Sequence, residues 1–499
     1  MKKKKVIIVG AGPGGLVAGM ILSQKGFDVH IYEKKAIVGG RNGFIQAGEF
    51  KFDLGPTFFL MKDVLERIFK ICNRNLDDYV KITQLDPMYK LVFNDKTFAP
   101  TTDKERMVLE IERVFPGSSK GYLQYIEREQ KKYDRLIPCL EVPYGSLTDY
   151  FSLRLLKALP YLDGHLSLFD VLGKYFDDDF LKVCFTFQAK YIGMSPWQAP
   201  GLFSILSFIE HGGGVFHVNG GLNELSKAIA KVIEECDGNI HLSKGVKKLI
   251  VENSVCKGVL LEDGSEERAD YVVLNADFAH AMKNLVEPAD RRKYTDKKLK
   301  KMKYSCSTFM LYLGLDKKYE KLYHHNIFFA NDYKHNVDEI VSNSIIPDDP
   351  SIYVHNPSLI DDSLAPDGKS SVYVLVPIGN TSGGIDWTAK KEAFKEKILN
   401  ILETKAGIND IRSHIEELRI ITPDDWENQM DIYDGATFNL GHNMGQLLYF
   451  RPHNEFEEFA NCYLVGGGTH PGSGLPTIYE SARISSELIL KKEGLNLYS

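Results

Sequence analysis

The feature that most limits how this chain can fold is a glycine-rich turn between a short buried strand and a helix. Residues 6–9 are an apolar run, and residues 10–15 follow at once as Gly-Ala-Gly-Pro-Gly-Gly. Helix-like sequence continues to Gly26, and a second strand over residues 28–32 ends at Glu33. A G-x-G-x-x-G turn in this setting, with an acidic residue about 20 positions on, predicts a βαβ unit that binds a dinucleotide.

The residues of this turn have separate roles in the predicted site. Gly10 permits the tight turn, Gly12 lets the backbone reach a pyrophosphate, and Gly15 allows the helix to pack closely on the strand. Gly14, in the same turn, is assigned to the cofactor site with them. Glu33 can accept hydrogen bonds from ribose hydroxyls. The alternative is a glycine-rich loop without a ligand, but the whole unit in this order favours the dinucleotide site.

NAD and FAD sites share this fingerprint, and the next segment favours FAD. Residues 38–41 read Val-Gly-Gly-Arg, which resembles a large flavoprotein group, including amine oxidases and carotenoid desaturases, whose Gly-Gly-Arg contacts the FAD phosphates. That resemblance assigns Gly40 and the planar donor Arg41 to the cofactor, although Arg41 also fits an ordinary surface arginine. Residues 52–57 resemble the family segment near the isoalloxazine ring, and a plain turn explains them almost as well. The cofactor contacts assigned there are Gly55, Pro56 and Thr57.

A second glycine-rich loop lies near the end of the chain, at residues 461–476. It includes a strand-like run at 463–465, five glycines and two prolines, and it opens into helix-like sequence from Thr477. Glycines let the backbone approach a flat or phosphorylated ligand, and the following helix points its positive dipole end at that ligand. The cofactor contacts assigned here are Gly467, Gly468, Gly474, Leu475 and Pro476, together with Val246 from an upstream strand.

The same loop carries the most specific resemblance to a known family. Residues 461–475 read Asn-x-aromatic-aliphatic-x-Gly-Gly-Gly-Thr-His-Pro-Gly-Ser-Gly-Leu, with the small residue Ser481 six positions later. This signature resembles that of the bacterial-type phytoene and diapophytoene desaturases, as do residues 351–357, 364–369 and 449–454. The resemblance covers almost the full chain. It implies noncovalently bound FAD, an apolar C30 or C40 polyene precursor (4,4'-diapophytoene or phytoene), and the introduction of carbon–carbon double bonds.

The expected reaction removes a hydride from one carbon of the substrate and a proton from its neighbour, and the flavin takes the hydride. A helix starting at Thr477 would stabilise negative charge on the reduced flavin. A hydrocarbon has no polar handle, so a long apolar tunnel is expected. Glu210 and His470 are the candidate proton acceptors, Glu210 because a buried carboxylate can have a raised pKa. Structural roles for both residues, and catalysis without a protein base, are the alternatives.

The length of 499 residues predicts at least two domains. The expected fold class is α/β, with a discontinuous Rossmann-like FAD-binding domain and an inserted mixed α+β substrate domain. The FAD-binding domain is predicted from residues 1–75, 218–300 and 440–499. The substrate domain is predicted from residues 76–217, which look mainly helical, and residues 301–439.

Strand-like runs within these segments give a finer prediction. The runs at 240–242, 246–251, 255–261 and 269–275 are expected to complete the sheet begun at the N-terminus. Asp263 and Gly264 are expected to form the hairpin turn between the last two runs. Two further strand-like runs, at 308–315 and 371–377, are assigned to the substrate domain.

Composition bears on partners and compartment. With 61 basic and 67 acidic residues, the net charge of −6 gives no support for nucleic-acid binding. The seven scattered cysteines lack C-x-x-C spacing, which predicts reduced thiols in the cytoplasm. None of the fourteen histidines falls in a ligand pattern, so no metal is predicted. Because residues 212–214 and 383–384 lack a strand–turn–helix setting for a second nucleotide site, quinone or oxygen is the expected electron acceptor.

Two segments bear on membranes and export. Residues 2–5 are basic and precede an apolar run, as in a signal peptide, but the glycine turn interrupts that run, so secretion is not expected. Residues 147–162 are rich in leucine and aromatic residues with Arg154 and Lys157 interspersed. This segment fits a membrane interface or a core-facing helix ended by Pro160. Because members of the resembled family are peripheral membrane enzymes, the expected location is the cytoplasmic face of the membrane.

Four other functions compete with desaturation. A carotenoid terminal oxidase or an isomerase of the same superfamily would keep every motif described above. An amine oxidase is disfavoured because Gly468-Thr469-His470 stands where that group has a glutamate. A prenyl-lipid carrier of the same architecture would have an eroded nucleotide fingerprint, whereas the fingerprint here is complete.

Overall fold

The computed structural model describes residues 3–498. The strands are β1 (Lys5–Val9), β2 (Asp28–Tyr32), β3 (Phe44–Ala47), β4 (Phe50–Asp53), β5 (Ile82–Gln84), β6 (Lys90–Phe93), β7 (Lys96–Phe98), β8 (Phe216–Val218), β9 (Asn239–His241), β10 (Val246–Glu252), β11 (Val255–Leu261), β12 (Glu266–Arg268), β13 (Tyr271–Leu274), β14 (Ser307–Leu315), β15 (His325–Phe328), β16 (Ile352–His355), β17 (Ser370–Ile378), β18 (Ile415–Ile421) and β19 (Cys462–Leu464). The α-helices are α1 (Pro13–Gln24), α2 (Lys62–Ile71), α3 (Lys104–Val114), α4 (Ser119–Leu140), α5 (Leu153–Ala158), α6 (Leu168–Leu172), α7 (Asp179–Cys184), α8 (Ile205–Gly213), α9 (Asn223–Glu235), α10 (Phe278–Asn284), α11 (Asp296–Lys301), α12 (Tyr333–Ser342), α13 (Trp387–Thr404), α14 (Pro423–Met430) and α15 (Leu475–Lys492).

A parallel sheet of five strands, in the order β19-β13-β1-β2-β9, forms the centre of one half of the molecule. Its middle strand is fully buried, which explains why residues 6–8 are a continuous apolar run rather than an alternating one. Helices α1, α9 and α15 cover one face, and α10 with the antiparallel sheet β10-β11-β12 covers the other. The strands therefore come from three distant parts of the chain, near residues 5–32, 239–274 and 462–464.

The prediction that residues 246–251 and 255–261 join this parallel sheet is wrong. They pair with each other as β10 and β11 in a separate three-stranded antiparallel sheet. The cause is local, because Asn253 and Ser254 both have positive φ (50° and 60°), a turn whose twist suits an antiparallel hairpin. The turn at residues 263–264 also leads to β12, not to β13 as expected.

The second half of the molecule is built on a mixed sheet in the order β18-β14-β17-β16-β15-β6-β7. The strands predicted near 308–315 and 371–377 are confirmed as β14 and β17, and they pair antiparallel along their whole lengths. Helix α13 packs on one face. The other face meets β4, through Phe52, Tyr312 and Tyr373, and so lies against the dinucleotide-binding half.

Helices α3 to α8 form a lobe beside this sheet, around an aromatic-rich core. The segment predicted as a single helix or interface element is divided into a 3₁₀ turn (Leu147–Phe151), α5 and a second 3₁₀ turn (Leu159–Tyr161). Ser152 makes the break, since its hydroxyl accepts a hydrogen bond from Leu155 N and caps α5. Across residues 3–498, each helix is too short or too polar to span a bilayer.

Candidate functional site

The first glycine loop lies at the carboxyl end of the parallel sheet, between β1 and α1. Gly10 has a φ of +94° and donates its N–H to Tyr32 O at 2.8 Å, which ties the turn to the neighbouring strand β2. A Cβ at Gly15 would lie 2.3 Å from Gly10 O, so only glycine lets the helix start this close to the strand. The N-terminus of α1 is thereby presented at the sheet edge where open α/β folds bind nucleotides.

Asn275, which the sequence reasoning missed, shapes the same loop. Its Nδ2 donates to Gly10 O at 3.1 Å, and side chains at Gly12 or Gly14 would collide with its amide, at 2.8 and 2.7 Å. The glycines therefore make room for Asn275 as well as for a ligand. The sequence does contain a signal for Asn275, because this residue directly follows the buried strand β13 and ligands lie at the carboxyl ends of such strands.

Glu33 directly follows β2 and is buried beside the loop. Its two carboxylate oxygens accept hydrogen bonds from Ala11 N at 2.8 Å and Lys35 N at 2.9 Å. An ionised carboxylate has about four acceptor positions, so both oxygens can still accept from ribose hydroxyls. Lys244 N donates to Glu33 O at 2.8 Å, which brings the start of β10, and with it Val246, to the same side of the site.

Arg41 is tethered across the site rather than free on the surface. Its guanidinium donates to Asp277 Oδ2 at 2.8 Å and to Thr437 O at 3.0 Å, which uses two of its five N–H donors. Gly40, just before it, has a φ of +53° and lies over Gly12. Asp277 was not predicted, although it caps α10 two residues beyond Asn275.

The terminal glycine loop meets the first loop directly. A Cβ at Gly14 would lie 3.2 Å from Gly466 N, and Gly466 N donates to Ser481 Oγ at 2.9 Å. Helix α15 begins at Leu475, with Pro476 in its first turn and Gly474 at a φ of +111° before it. The structure therefore brings the N-termini of α1 and α15 to one place, as the sequence predicted.

A buried arginine holds the terminal loop in this shape. Arg451 is fully buried, and its guanidinium donates to five backbone carbonyls. These carbonyls belong to Leu440, Gly441, Gln446, Gly467 and Thr469. Burial away from water lowers the pKa of Arg451 to about 9. Sequence reasoning placed Arg451 in a family-like segment but gave it no role.

The turn containing Gly55, Pro56 and Thr57 is held by tyrosines of the mixed sheet. Tyr373 Oη donates to Gly55 O at 2.8 Å, Tyr353 Oη lies 2.7 Å from Thr57 Oγ1, and Tyr312 Oη donates to Leu54 O at 2.6 Å. Three hydroxyls from three strands thus fix the turn between the two halves of the molecule. Their separation in sequence from residues 54–57 explains why they were not predicted.

Glu210 lies within the helical lobe, on α8, and is fully buried. Its Oε2 accepts hydrogen bonds from Tyr89 Oη and from Gln188 Nε2, both at 2.8 Å. The Tyr89 ring lies 6.1 Å from that of Phe58, the residue after Thr57. Two aromatic side chains, Tyr89 and Phe58, therefore separate Glu210 from the turn that is assigned to the cofactor, and its role as a proton acceptor stays a prediction.

His470 is buried in the terminal loop and packs edge-on against Tyr144, with ring centroids 5.1 Å apart. Its ring nitrogens are buried, and the backbone of Leu140 and Val142 offers hydrogen bonding to the ring that partly opposes the effect of burial on its pKa. Burial lowers its pKa to about 3, so the imidazole is neutral at pH 7. A base with such a pKa accepts a proton poorly, and this geometry favours a packing role over the predicted catalytic one.

Taken together, these residues fit FAD. The loop has no side chains where the pyrophosphate must approach, two helix N-termini converge, and an acidic residue and an arginine flank them. The assignments of Gly467 and Gly468 also stay predictions, and the close approach of Gly468 to Phe278 gives this glycine a packing role in any case.

Comparison with known proteins gives four findings. A family model described as flavin containing amine oxidoreductase matches residues 13–490. The chain is 53% identical over 489 residues to a protein of Methylomonas sp. named 4,4'-diapophytoene desaturase (4,4'-diapolycopene-forming), covering 98% of this chain and 96% of that one. It is 35% identical over 490 residues to a zeta-carotene-forming phytoene desaturase of Myxococcus xanthus, covering 98% and 94%. A putrescine oxidase shares the fold with a TM-score of 0.63 at 14% identity, covering 99% of each chain, which confirms the predicted α/β class.

Proposed function

Because the chain belongs to the flavin-containing amine oxidoreductase family, and within it to the FAD-dependent carotenoid desaturases, we propose that its substrate is 4,4'-diapophytoene. The predicted resemblance, cofactor and reaction are confirmed. One relative carries the choice of a C30 substrate: the chain is 53% identical to the Methylomonas diapophytoene desaturase, whereas the phytoene desaturase is 35% identical and a diapophytoene desaturase of Staphylococcus aureus is 32% identical. The proposed product is 4,4'-diapolycopene, after the name of the more similar relative.

Each desaturation step removes a hydride and a proton from neighbouring carbons and leaves a double bond. Bound FAD supplies the two-electron acceptor for the hydride. The glycine loop, Glu33 and Arg41 would hold this cofactor, and the N-terminus of α15 is directed at the same site. A helix N-terminus and an arginine both favour negative charge, so the N-terminus of α15 and Arg41 would favour the acceptance of electrons at this site.

The proton is proposed to leave toward Glu210. This carboxylate is buried in an aromatic lobe and reaches the Gly55–Thr57 turn through Tyr89 and Phe58. An apolar polyene would lie along this lobe, where aromatic side chains exclude water. Replacing Glu210 by Gln should keep FAD bound but slow flavin reduction by substrate, and an unchanged reduction rate would remove Glu210 from the mechanism.

We further propose that residues 147–161 dock on a membrane surface. Phe151 and Leu153 are 78% and 74% exposed, and Leu147, Leu156 and Leu159 are also exposed, with Arg154 and Lys157 among them. Exposed apolar side chains beside cationic ones suit the interface of an anionic bilayer. A core-facing helix, the other prediction for this segment, would bury these side chains.

A series of ring contacts joins this apolar segment to the cofactor loop. Tyr150 lies 6.1 Å from Tyr144, and Tyr144 lies 5.1 Å from His470 in the terminal loop. The exposed Phe450 also lies 6.2 Å from Tyr150. A polyene leaving the bilayer at this segment would therefore reach the cofactor site along aromatic surface. Docking at the cytoplasmic face would also give the reduced flavin access to membrane quinone, which we propose as acceptor alongside oxygen.

The substrate proposal is tested by pigment analysis in carotenoid-free bacteria. The chain is expressed with a synthase that makes either 4,4'-diapophytoene or phytoene, and extracted pigments are separated and identified by absorption and mass. More conjugated C30 products, with phytoene converted poorly, are expected. Conversion of phytoene alone would overturn the C30 assignment, and oxygenated products from an already desaturated precursor would favour the terminal oxidase instead.

The membrane proposal is tested by sedimentation with anionic phospholipid vesicles. The double variant Phe151→Asp, Leu153→Asp should lose most vesicle binding while keeping FAD. Leu109→Asp is the matched control, because Leu109 is 69% exposed but lies on α3, outside the segment. Equal binding by all three proteins would contradict the proposed docking site.

A further inference from the structure

Three buried histidines meet beneath the Gly55–Thr57 turn, outside the residues assigned to FAD. His325 begins β15 and pairs directly with His355, the last residue of β16, so their rings stack 5.2 Å apart. His324 lies edge-on to both, with ring centroids 4.4 and 4.8 Å away. One potential ligand atom from each of the three lies within 4.8 Å of the others. The spacing of these histidines in the sequence does not reveal the cluster, because the pairing of β15 with β16 brings them together.

The inner nitrogens of this cluster lack protein partners. In the described part of the chain, no hydrogen bond reaches His324 Nδ1, His325 Nε2 or His355 Nε2, although all three side chains are more than nine-tenths buried. A buried polar atom without a partner costs about 1–3 kcal/mol, so three in one cluster require an explanation. A bound ion among them supplies one.

Outer hydrogen bonds orient two of these rings. His324 Nε2 lies 3.1 Å from His217 Nδ1, and His217 Nε2 lies 2.8 Å from Asp361 Oδ2. The His217 bond holds the pKa of Asp361 below its usual range against the effect of burial, so the carboxylate accepts from His217 Nε2–H. His217 Nδ1 then accepts from His324 Nε2–H, which leaves His324 Nδ1 as a lone pair that points inward.

His325 is oriented in the same way. Its Nδ1 lies 2.6 Å from Tyr353 Oη, which in turn lies 2.7 Å from Thr57 Oγ1. Donation from Nδ1–H to the tyrosine leaves His325 Nε2 as an inward lone pair. Metal-bound imidazoles usually donate their second N–H to an outer hydrogen-bond acceptor, and His217 and the Tyr353 hydroxyl occupy that position for His324 and His325.

We propose that His324, His325 and His355 form a binding site for a divalent transition-metal cation, with Zn²⁺ the best match. Imidazole nitrogens favour Zn²⁺, Cu²⁺ and Ni²⁺, whereas Mg²⁺ and Ca²⁺ require oxygen ligands. The ligand nitrogens lie within 4.8 Å of one another, so Zn–N distances of about 2.0–2.1 Å require the rings to rotate inward. Three histidines leave a fourth position for water, and Asp361 balances charge through His217.

The cation would stiffen the floor of the cofactor site without touching substrate. His325 stacks on Phe58 with centroids 4.2 Å apart and reaches Thr57 through Tyr353. Fixing these rings therefore fixes the turn that Tyr373 and Tyr312 hold from the other side.

The test measures metal content of the full-length protein with FAD bound, after incubation with Zn²⁺ and removal of free metal. About one Zn²⁺ per chain is expected, with Co²⁺ giving the visible absorption of a four-coordinate site and Mg²⁺ not competing. His355→Gln should abolish this binding, and Asp361→Asn should weaken it about 10–100-fold. His335→Gln, at an exposed histidine on α12, is the matched control and should bind as the unaltered protein does.

The unaltered protein alone can overturn the proposal. Absence of bound Zn²⁺ at saturating concentration, with no Co²⁺ absorption and no shift in melting temperature, would show that the three nitrogens share water instead. Retention of binding in His355→Gln, with loss in His335→Gln, would place the metal elsewhere. Metal content is measured without substrate. The metal-binding result therefore keeps its meaning even if the substrate proposal is wrong.

Discussion

Replacing Arg451 by Met removes the side chain on which the terminal glycine loop depends most. Five backbone carbonyls lose a donor in a buried site. Two of them, Gly441 O and Gly467 O, still accept hydrogen bonds from Gln446 Nε2 and Ser473 Oγ. At about 1 kcal/mol for each of the other three carbonyls, the gross cost is about 3 kcal/mol. Methionine also removes a guanidinium that burial disfavours, as its lowered pKa shows, so we expect a net loss of about 1–2 kcal/mol.

Two of the five carbonyls belong to Gly467 and Thr469, so this loss should appear first as weaker cofactor binding. The assay combines the flavin-to-protein ratio after gel filtration with urea unfolding at saturating FAD. Arg451→Lys, which keeps the charge but offers fewer donors, should lie between the two proteins. Arg292→Met, at an exposed arginine, is the matched control and should change stability by less than about 0.5 kcal/mol. Stoichiometric FAD and unaltered unfolding in Arg451→Met would refute the reasoning.

Three other perturbations have expected outcomes. Gly15→Ala places a Cβ 2.3 Å from Gly10 O, so FAD affinity measured by flavin fluorescence should fall at least about tenfold, and unchanged affinity would contradict the close approach. Burial raises the pKa of Asp53 to about 6, so its stabilising contribution is complete below pH 4 and lost as pH rises through 6. At pH 8, the free energy of unfolding of Asp53→Asn, measured with urea, should therefore exceed that of the unaltered protein by about 1–3 kcal/mol. At pH 4 the two proteins should be equally stable. Tyr373→Phe removes the donor to Gly55 O and should cost about 1 kcal/mol in urea unfolding; no loss would mean that the turn is held without it.

Local sequence patterns were sufficient for the elements that bind the cofactor. Strand β2 has the bounds expected from its apolar alternation, and α1 begins and ends within two residues of the glycines that flank it. These elements are specified by neighbours in sequence: a turn that needs glycine, a Pro at the helix start, and a continuous apolar run for a doubly covered strand. The same holds for β19 and α15 around the terminal loop.

Partner strands were not specified by such patterns. The runs that became β10 and β11 are strand-like in sequence, as are those that joined the parallel sheet, and periodicity does not identify the partner strand. The positive φ values at Asn253 and Ser254 decided the pairing, and an Asn-Ser turn is a weaker hairpin signal than Asn-Gly.

The residues that complete the site were hidden by distance along the chain. Asn275 contacts a loop 265 positions earlier, and Asp277 pairs with Arg41 across 236 positions. The tyrosines on the Gly55–Thr57 turn and the three clustered histidines likewise come from strands of the other half. Chemistry that depends on such contacts is visible only once the sheets are assembled.

His470 is a residue that the sequence suggested as catalytic and that its surroundings in the structure disfavour. Its place in the family signature made it a catalytic candidate, yet burial against Tyr144 and a pKa of about 3 make it a weak base. The position of His470 in the sequence did not reveal that environment. Glu210 remains a candidate base because its hydrogen bond to Tyr89 links it, through Phe58, to the Gly55–Thr57 turn.

The central claim is most directly tested by mixing the purified, FAD-loaded protein anaerobically with 4,4'-diapophytoene in anionic vesicles. Flavin absorbance and polyene absorbance are followed together. We expect the oxidised flavin band to bleach as a more conjugated polyene band appears, with one double bond formed for each flavin reduced. An oxidised flavin that persists beside unchanged precursor, in a protein that binds both vesicles and FAD, would contradict the central claim.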